Sequence, residues 1–119
     1  MILADTSIWV DHLRYGSKSL TSALLDADIM IHPYVIGELA LGNLKNRNAL
    51  LSYLSELPQA TVTTFSETLY FIEQNKLMAK GIGWVDASLL AATALTPHSQ
   101  IWTRDRRLAH AAGELNLRF

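Results

Sequence analysis

The sequence predicts an α/β sandwich with a mainly parallel central sheet. Three observations predict it. Short apolar, β-prone runs alternate with longer segments of helical periodicity along the chain, the pattern of a parallel sheet covered by helices. Two acids stand just past the ends of such runs, where sheets of this kind carry their functional crevice. Half of the 119 residues are hydrophobic and 18% are charged, enough apolar material for one core and unlike a disordered chain. A single domain over residues 1–119 follows.

The elements can be read in order. Ile2-Leu3-Ala4 makes a short buried strand, and a helix runs from Thr6 or Ser7 to about Arg14 until Gly16 and Ser17 break it. Leu20, Ala23, Leu24 and Ala27 repeat at helical spacing, so residues 18–27 form a second helix. Ile29–Ile31 is a strand. Pro33 suits the first turn of a helix, because its missing N–H is not needed there; that helix covers 33–42 and stops at Gly42. Leu50, Leu51, Leu54 and Leu57 mark the next helix, ended by Pro58. Thr61-Val62-Thr63 is β-prone and reads as a strand. Ser66 opens a long helix to about Lys80, punctuated by Gly81 and Gly83. Residues 84–95 form an apolar helix ended by Pro97, and Gln100–Thr103 is a strand. Asp105 or its neighbours open a last helix to Gly113, and Leu117–Phe119 reads as a closing strand.

Bulk properties exclude several functions. There is no cysteine, so disulfides, thiolate zinc sites and cysteine nucleophiles are out. The net charge is -1, so nucleic-acid binding would need a local basic patch rather than a basic protein. An acid at position 5 interrupts any signal-peptide core, and the apolar stretch at Leu89–Leu95 falls far short of the ~20 residues a membrane span needs. A soluble, cytoplasmic protein with no membrane association is expected.

The informative signal is where the acids lie. Asp5 is the only charged side chain from Met1 to Val10, Glu38 the only one from Ile29 to Leu44, and Asp86 the only one from Gly81 to Thr103. Each interrupts a segment that should be largely buried. An isolated buried carboxylate costs several kcal/mol unless something neutralises it. A shared divalent cation would do so, and without one converging carboxylates raise each other's pKa values. An all-oxygen set points to Mg²⁺ or Mn²⁺ rather than Zn²⁺. Blander readings stand beside this one. Asp5 could cap its helix, Glu38 could be a rim-exposed helical residue, and Asp86 could answer the helix dipole. Asp105, flanked by Arg104, Arg106 and Arg107, could be a cap or a surface ion-pair partner.

Four stretches resemble the PIN-domain ribonucleases, and most closely the VapC toxins of bacterial VapBC toxin–antitoxin pairs. They are Leu3-Ala4-Asp5-Thr6-Ser7-Ile8-Trp9, Val35-Ile36-Gly37-Glu38-Leu39-Ala40-Leu41-Gly42, Gly83-Trp84-Val85-Asp86-Ala87-Ser88-Leu89-Leu90-Ala91-Ala92, and Ile101-Trp102-Thr103-Arg104-Asp105. Their order and spacing match along essentially the whole chain. The resemblance implies a PIN-like three-layer α/β/α sandwich and a Mg²⁺- or Mn²⁺-dependent endoribonuclease that leaves a 5′-phosphate and a 3′-hydroxyl. It implies a metal site at Asp5, Glu38, Asp86 and Asp105, with Thr103 and Ser7 supporting it by hydrogen bonds. It also implies a homodimer silenced by a VapB-like antitoxin.

RNA is an anion that four carboxylates repel, so a cation is a precondition for substrate approach. Arg104, Arg106, Arg107, Arg14 and Lys45 are the candidate RNA contacts, which would position a backbone without reading its sequence. A solvated helix face is the plainer account of the arginine cluster. The four histidines are expected in structural or surface roles, Asp11 to point away from Asp5, and Trp9, Trp84 and Trp102 to pack. A haloacid-dehalogenase-type phosphatase would need a second Asp at position 7, which is Ser. The alternative of another class is a catalytically idle PIN-like binding module acting in a protein complex.

Overall fold

The computed structural model describes all 119 residues. Three short parallel strands, β1 (Ile2–Ala4), β2 (Ile29–Met30) and β3 (Gln100–Trp102), form a sheet in the order β2-β1-β3. Seven helices surround it: α1 (Thr6–Tyr15), α2 (Lys18–Leu25), α3 (Pro33–Ala40), α4 (Arg47–Glu56), α5 (Phe65–Asn75), α6 (Trp84–Leu95) and α7 (Arg106–Glu114). α1 packs on α3 and α3 on α4, while α5 packs on α6 and α6 on β3. This is the expected α/β architecture. No helix is long and apolar enough to cross a membrane.

β1 and β2 are buried on both faces, which is why they read as continuous apolar runs rather than alternating ones. Single parallel bridges widen the sheet: Gln59 pairs with Ile31 beyond β2, and Arg118 with Ile101 beyond β3. From β1 the chain crosses to the β2 side, whereas from β3 it crosses to the opposite edge. The carboxyl ends of β1 and β3 therefore flank a topological switch point, the place where open α/β sheets bind ligands. Asp5 and Thr103 directly follow those two ends.

Four expectations need correction. Residues 61–63 form no strand; the bridge lies upstream, where the Ile31 N–H donates to Pro58 O at 2.8 Å and the Ala60 N–H to Ile31 O at 2.8 Å. The threonines there serve other partners: the Thr61 N–H donates to Thr96 Oγ1 at 3.2 Å, and Thr63 and Thr68 hydroxyls share a 2.7 Å bond. α5 starts at Phe65 because Thr64, not Ser66, is its N-cap, in a reciprocal capping box with Glu67. It ends at Asn75, not Lys80, because Lys76 turns left-handed at φ 52° and buried Leu77 anchors the chain there. The closing strand at 117–119 reduces to the single Arg118 bridge.

Helix ends elsewhere shift by one or two residues. α2 stops at Leu25, before a left-handed Ala27. α3 stops at Ala40, where the Arg47 guanidinium donates to Ala40 O at 2.5 Å and to Gly42 O at 3.2 Å. At the other end of α3, buried His32 caps the helix: its Nδ1 accepts the Tyr34 N–H at 3.0 Å. Burial lowers the His32 pKa and so keeps the lone pair that the cap requires.

Candidate active site

Asp5 sits at the switch point and is only 5% exposed. Its backbone N–H donates to Trp102 O at 2.9 Å, continuing the β1–β3 ladder to the carboxylate itself. It is also the N-cap of α1, with Oδ1 accepting the Ile8 N–H at 3.2 Å. The capping reading is thus correct, and it accounts for only part of the side chain. Ser7 Oγ donates to Asp5 Oδ1 at 2.5 Å, and the Thr103 hydroxyl donates to Oδ2. Each hydroxyl in turn accepts a backbone amide of the β3–α7 loop: Ser7 from Arg104 N–H and Thr103 from Asp105 N–H, both at 3.0 Å. Both expected supporting residues therefore touch Asp5.

Asp105 caps α7, its Oδ1 accepting the Arg107 and Leu108 N–H groups at 2.9 and 3.0 Å; its Oδ2 accepts none within the chain. Asp86 lies in the first turn of α6 and is half-buried. Desolvation pushes its pKa up, partly offset by the Gly83 backbone amide. Asp105, Asp5 and Glu38 then push it further up, in that order. The fold thus brings all four acids into one electrostatic neighbourhood. Glu38 is exposed on α3, and its Oε1 accepts the Thr6 hydroxyl at 2.5 Å. Nothing in the sequence pattern marks Thr6 for this contact, because a hydroxyl beside a capping acid reads as a second cap.

None of the four acids has a Lys, Arg or His nitrogen within 4.0 Å. The donor set is oxygen only, and one member is a buried carboxylate with no cationic partner. That chemistry fits a hard divalent cation. The acids do not, however, stand close enough for three to grip one ion as they lie. Hydroxyls and amides occupy both oxygens of Asp5 and one each of Glu38 and Asp105, which leaves Glu38 Oε2 and Asp105 Oδ2 open to an ion.

The basic residues divide. Arg104 is committed to Asp11 at 2.9 Å, which also explains why Asp11 takes no part in the acid cluster. Arg107 lies over Gly81, where an added Cβ would meet its Cδ at 2.7 Å. Arg106 is exposed on the first turn of α7. Arg14 and Lys45 line a groove of about 560 Å³ that also contains Glu38, with Leu13, Leu44 and Leu50 among its apolar walls. The histidines hold structural or surface places: His12 accepts the Ser17 N–H at 3.0 Å, His32 caps α3, His98 is exposed, and His110 lies 3.4 Å from Glu114. Trp9 is buried with its indole N–H unpaired; Trp84 packs at a tilt against Phe65, ring centroids 5.1 Å apart, and Trp102 against Phe119 at 5.2 Å.

Comparison with known proteins bears on the family. Residues 2–114 match the PIN domain family. Ribonuclease VapC32 of Mycobacterium tuberculosis, found in two strains, is 44% identical over 114 residues, which cover 96% of this chain and 92% of the relative. Matched along nearly its whole length to both, and built as an α/β sandwich with its acids at the switch point, the chain belongs to the PIN-domain family, among the VapC ribonucleases.

Proposed function

We propose that this chain is a Mg²⁺- or Mn²⁺-dependent endoribonuclease, the toxin of a toxin–antitoxin pair, with Asp5, Glu38, Asp86 and Asp105 as its metal-holding residues. The observation that carries the metal reading is Asp5: a buried carboxylate with no cationic neighbour, at the sheet's switch point, beside three more acids. Family membership supports the ribonuclease. A bound divalent cation would supply charge stabilisation at the phosphate and an acidified water.

The chain's own residues supply the rest. Ser7 and Thr103 hold Asp5 in one orientation, and Asp105 is held by the α7 amides. A carboxylate of the set accepts a proton from the attacking water, whose oxygen bonds to phosphorus as the bond to the 3′-oxygen breaks; the leaving oxygen takes a proton from solvent, which gives a 5′-phosphate and a 3′-hydroxyl. Arg14 and Lys45 place the RNA backbone along the groove that leads from Glu38; Arg104, Arg106 and Arg107 offer further charge on the α7 side. A VapB-like antitoxin would silence the toxin, and the working state would be a cytoplasmic homodimer. Exposed Phe65 and Tyr70 on α5 support a surface left for another subunit.

A second reading, an idle PIN-like binding module, draws on the open spacing of the acids. One experiment separates the two. Partner-free protein is incubated with structured RNAs in Mg²⁺, beside Asp86→Asn. Cleavage by the wild type and its loss in the variant support the enzyme; cleavage unaffected by the substitution refutes the site. Light scattering at micromolar concentration tests the dimer, and a short neighbouring gene encoding a DNA-binding fold with a basic tail would support the antitoxin.

A further inference from the structure

We infer that Thr6 is a positioning residue for the metal site: its hydroxyl fixes Glu38 relative to Asp5. The inference rests on the metal reading above. The run Asp5-Thr6-Ser7 divides its labour. Asp5 caps α1 through Oδ1 and the Ile8 amide, so the helix needs no second cap. Ser7 turns back to Asp5. Thr6 alone reaches away from its own helix, across 32 residues of sequence, to Glu38 Oε1 on α3 at 2.5 Å.

Glu38 needs such a partner more than the other acids do. Asp5, Asp86 and Asp105 sit on short side chains at strand ends or in first helical turns, and Asp5 and Asp105 are held by nearby hydroxyls or amides. Glu38 has a longer side chain on an exposed face, with no cation within 4.0 Å. Such a side chain loses much rotamer freedom when it becomes a ligand. Thr6 removes part of that freedom beforehand. Its own side chain is well suited to hold another: β-branching makes it stiff at χ1, and it sits on the first helical residue beside the Asp5 cap. The bond uses only one of the two carboxylate oxygens, Oε1. It leaves Glu38 Oε2 free. Because Thr6 is the chain neighbour of Asp5, the same bond sets the spacing between two of the proposed ligands.

The test is Mn²⁺ binding to the partner-free protein by calorimetry, with Thr6→Val, Thr6→Ser, Glu38→Gln and the Thr6→Val/Glu38→Gln double variant. Partners of metal ligands typically contribute ~10–100-fold in affinity. We expect Thr6→Val to weaken Mn²⁺ at least tenfold, Thr6→Ser to restore it, and Thr6→Val to change nothing further in the Glu38→Gln background. The thermal midpoint reports folding, and Thr6→Ala takes the place of Thr6→Val should that variant unfold. Wild-type Mn²⁺ affinity in the hydroxyl-free variant, or an equal loss with and without Glu38, overturns the inference and leaves the metal reading intact. Equal affinity of wild type and Glu38→Gln removes Glu38 from the metal site and the inference with it.

Discussion

Asp5→Asn separates the two roles that Asp5 holds. Three hydrogen bonds end on this carboxylate, from Ser7, Thr103 and the Ile8 amide. Bonds to a charged acceptor are worth ~1.5–3 kcal/mol and neutral ones ~0.5–1.5. Asparagine keeps the two on Oδ1 as neutral bonds, and it remains a good N-cap. At Oδ2 it must reverse the bond to Thr103. The loss is about 3–4 kcal/mol. Against it stands the removal of a buried anion with no cationic partner, worth several kcal/mol, and of its repulsion with Asp86. The two nearly cancel. Unfolding free energy in EDTA should therefore change by no more than about 1 kcal/mol, a Tm shift of about 5 °C or less. RNA cleavage should fall at least ~100-fold, the usual effect of deleting one preorganised electrostatic group. Urea titration and cleavage of a fluorescent RNA read the two quantities separately. A loss above about 3 kcal/mol with cleavage within about tenfold of wild type would make Asp5 a structural cap and refute the reasoning.

His32 is neutral and buried, with its pKa below the ordinary value, so its contribution to stability is full above pH 6.5 and is lost as pH falls through the lowered pKa. His32→Asn keeps an N-cap and should flatten the urea midpoint below about pH 6.5, where the wild type declines. Asp86 has the opposite sign. Its raised pKa means that, without a cation, stability falls as pH rises from the ordinary carboxylate range through the raised value. Asp86→Asn should remove that decline in EDTA titrations. Leu90→Ala, at a fully buried position of α6, should cost about 3 kcal/mol by urea unfolding. Arg14→Ala and Lys45→Ala should each weaken RNA binding and reduce the slope of log affinity against log salt by about 0.7–0.9, with no change in Tm.

Much of the fold and the site was legible in the sequence, for identifiable reasons. β1 and β2 are buried on both faces, so Ile2–Ala4 and Ile29–Met30 announce themselves as apolar runs. The lone acids stand out because each breaks an apolar segment. What failed was local chemistry with distant partners. Thr61–Thr63 has strand propensity, yet the Thr63 hydroxyl pairs with Thr68 on α5 and the Thr61 amide with Thr96. α5 reads as continuous to Lys80, yet buried Leu77 and a left-handed Lys76 end it early. Arg104 pairs with Asp11, a partner far away in sequence that nothing beside Asp105 signals. The Thr6–Glu38 bond joins residues 32 apart, and neither side carries a pattern that names the other.

On the reading proposed above, the acid cluster works only with a divalent cation, because without one it repels RNA. Partner-free protein is stripped with EDTA, tested on a fluorescent RNA, and then restored with Mn²⁺. Cleavage should be abolished by the chelator and recovered on adding the metal. Cleavage at the full rate in EDTA would contradict that reading.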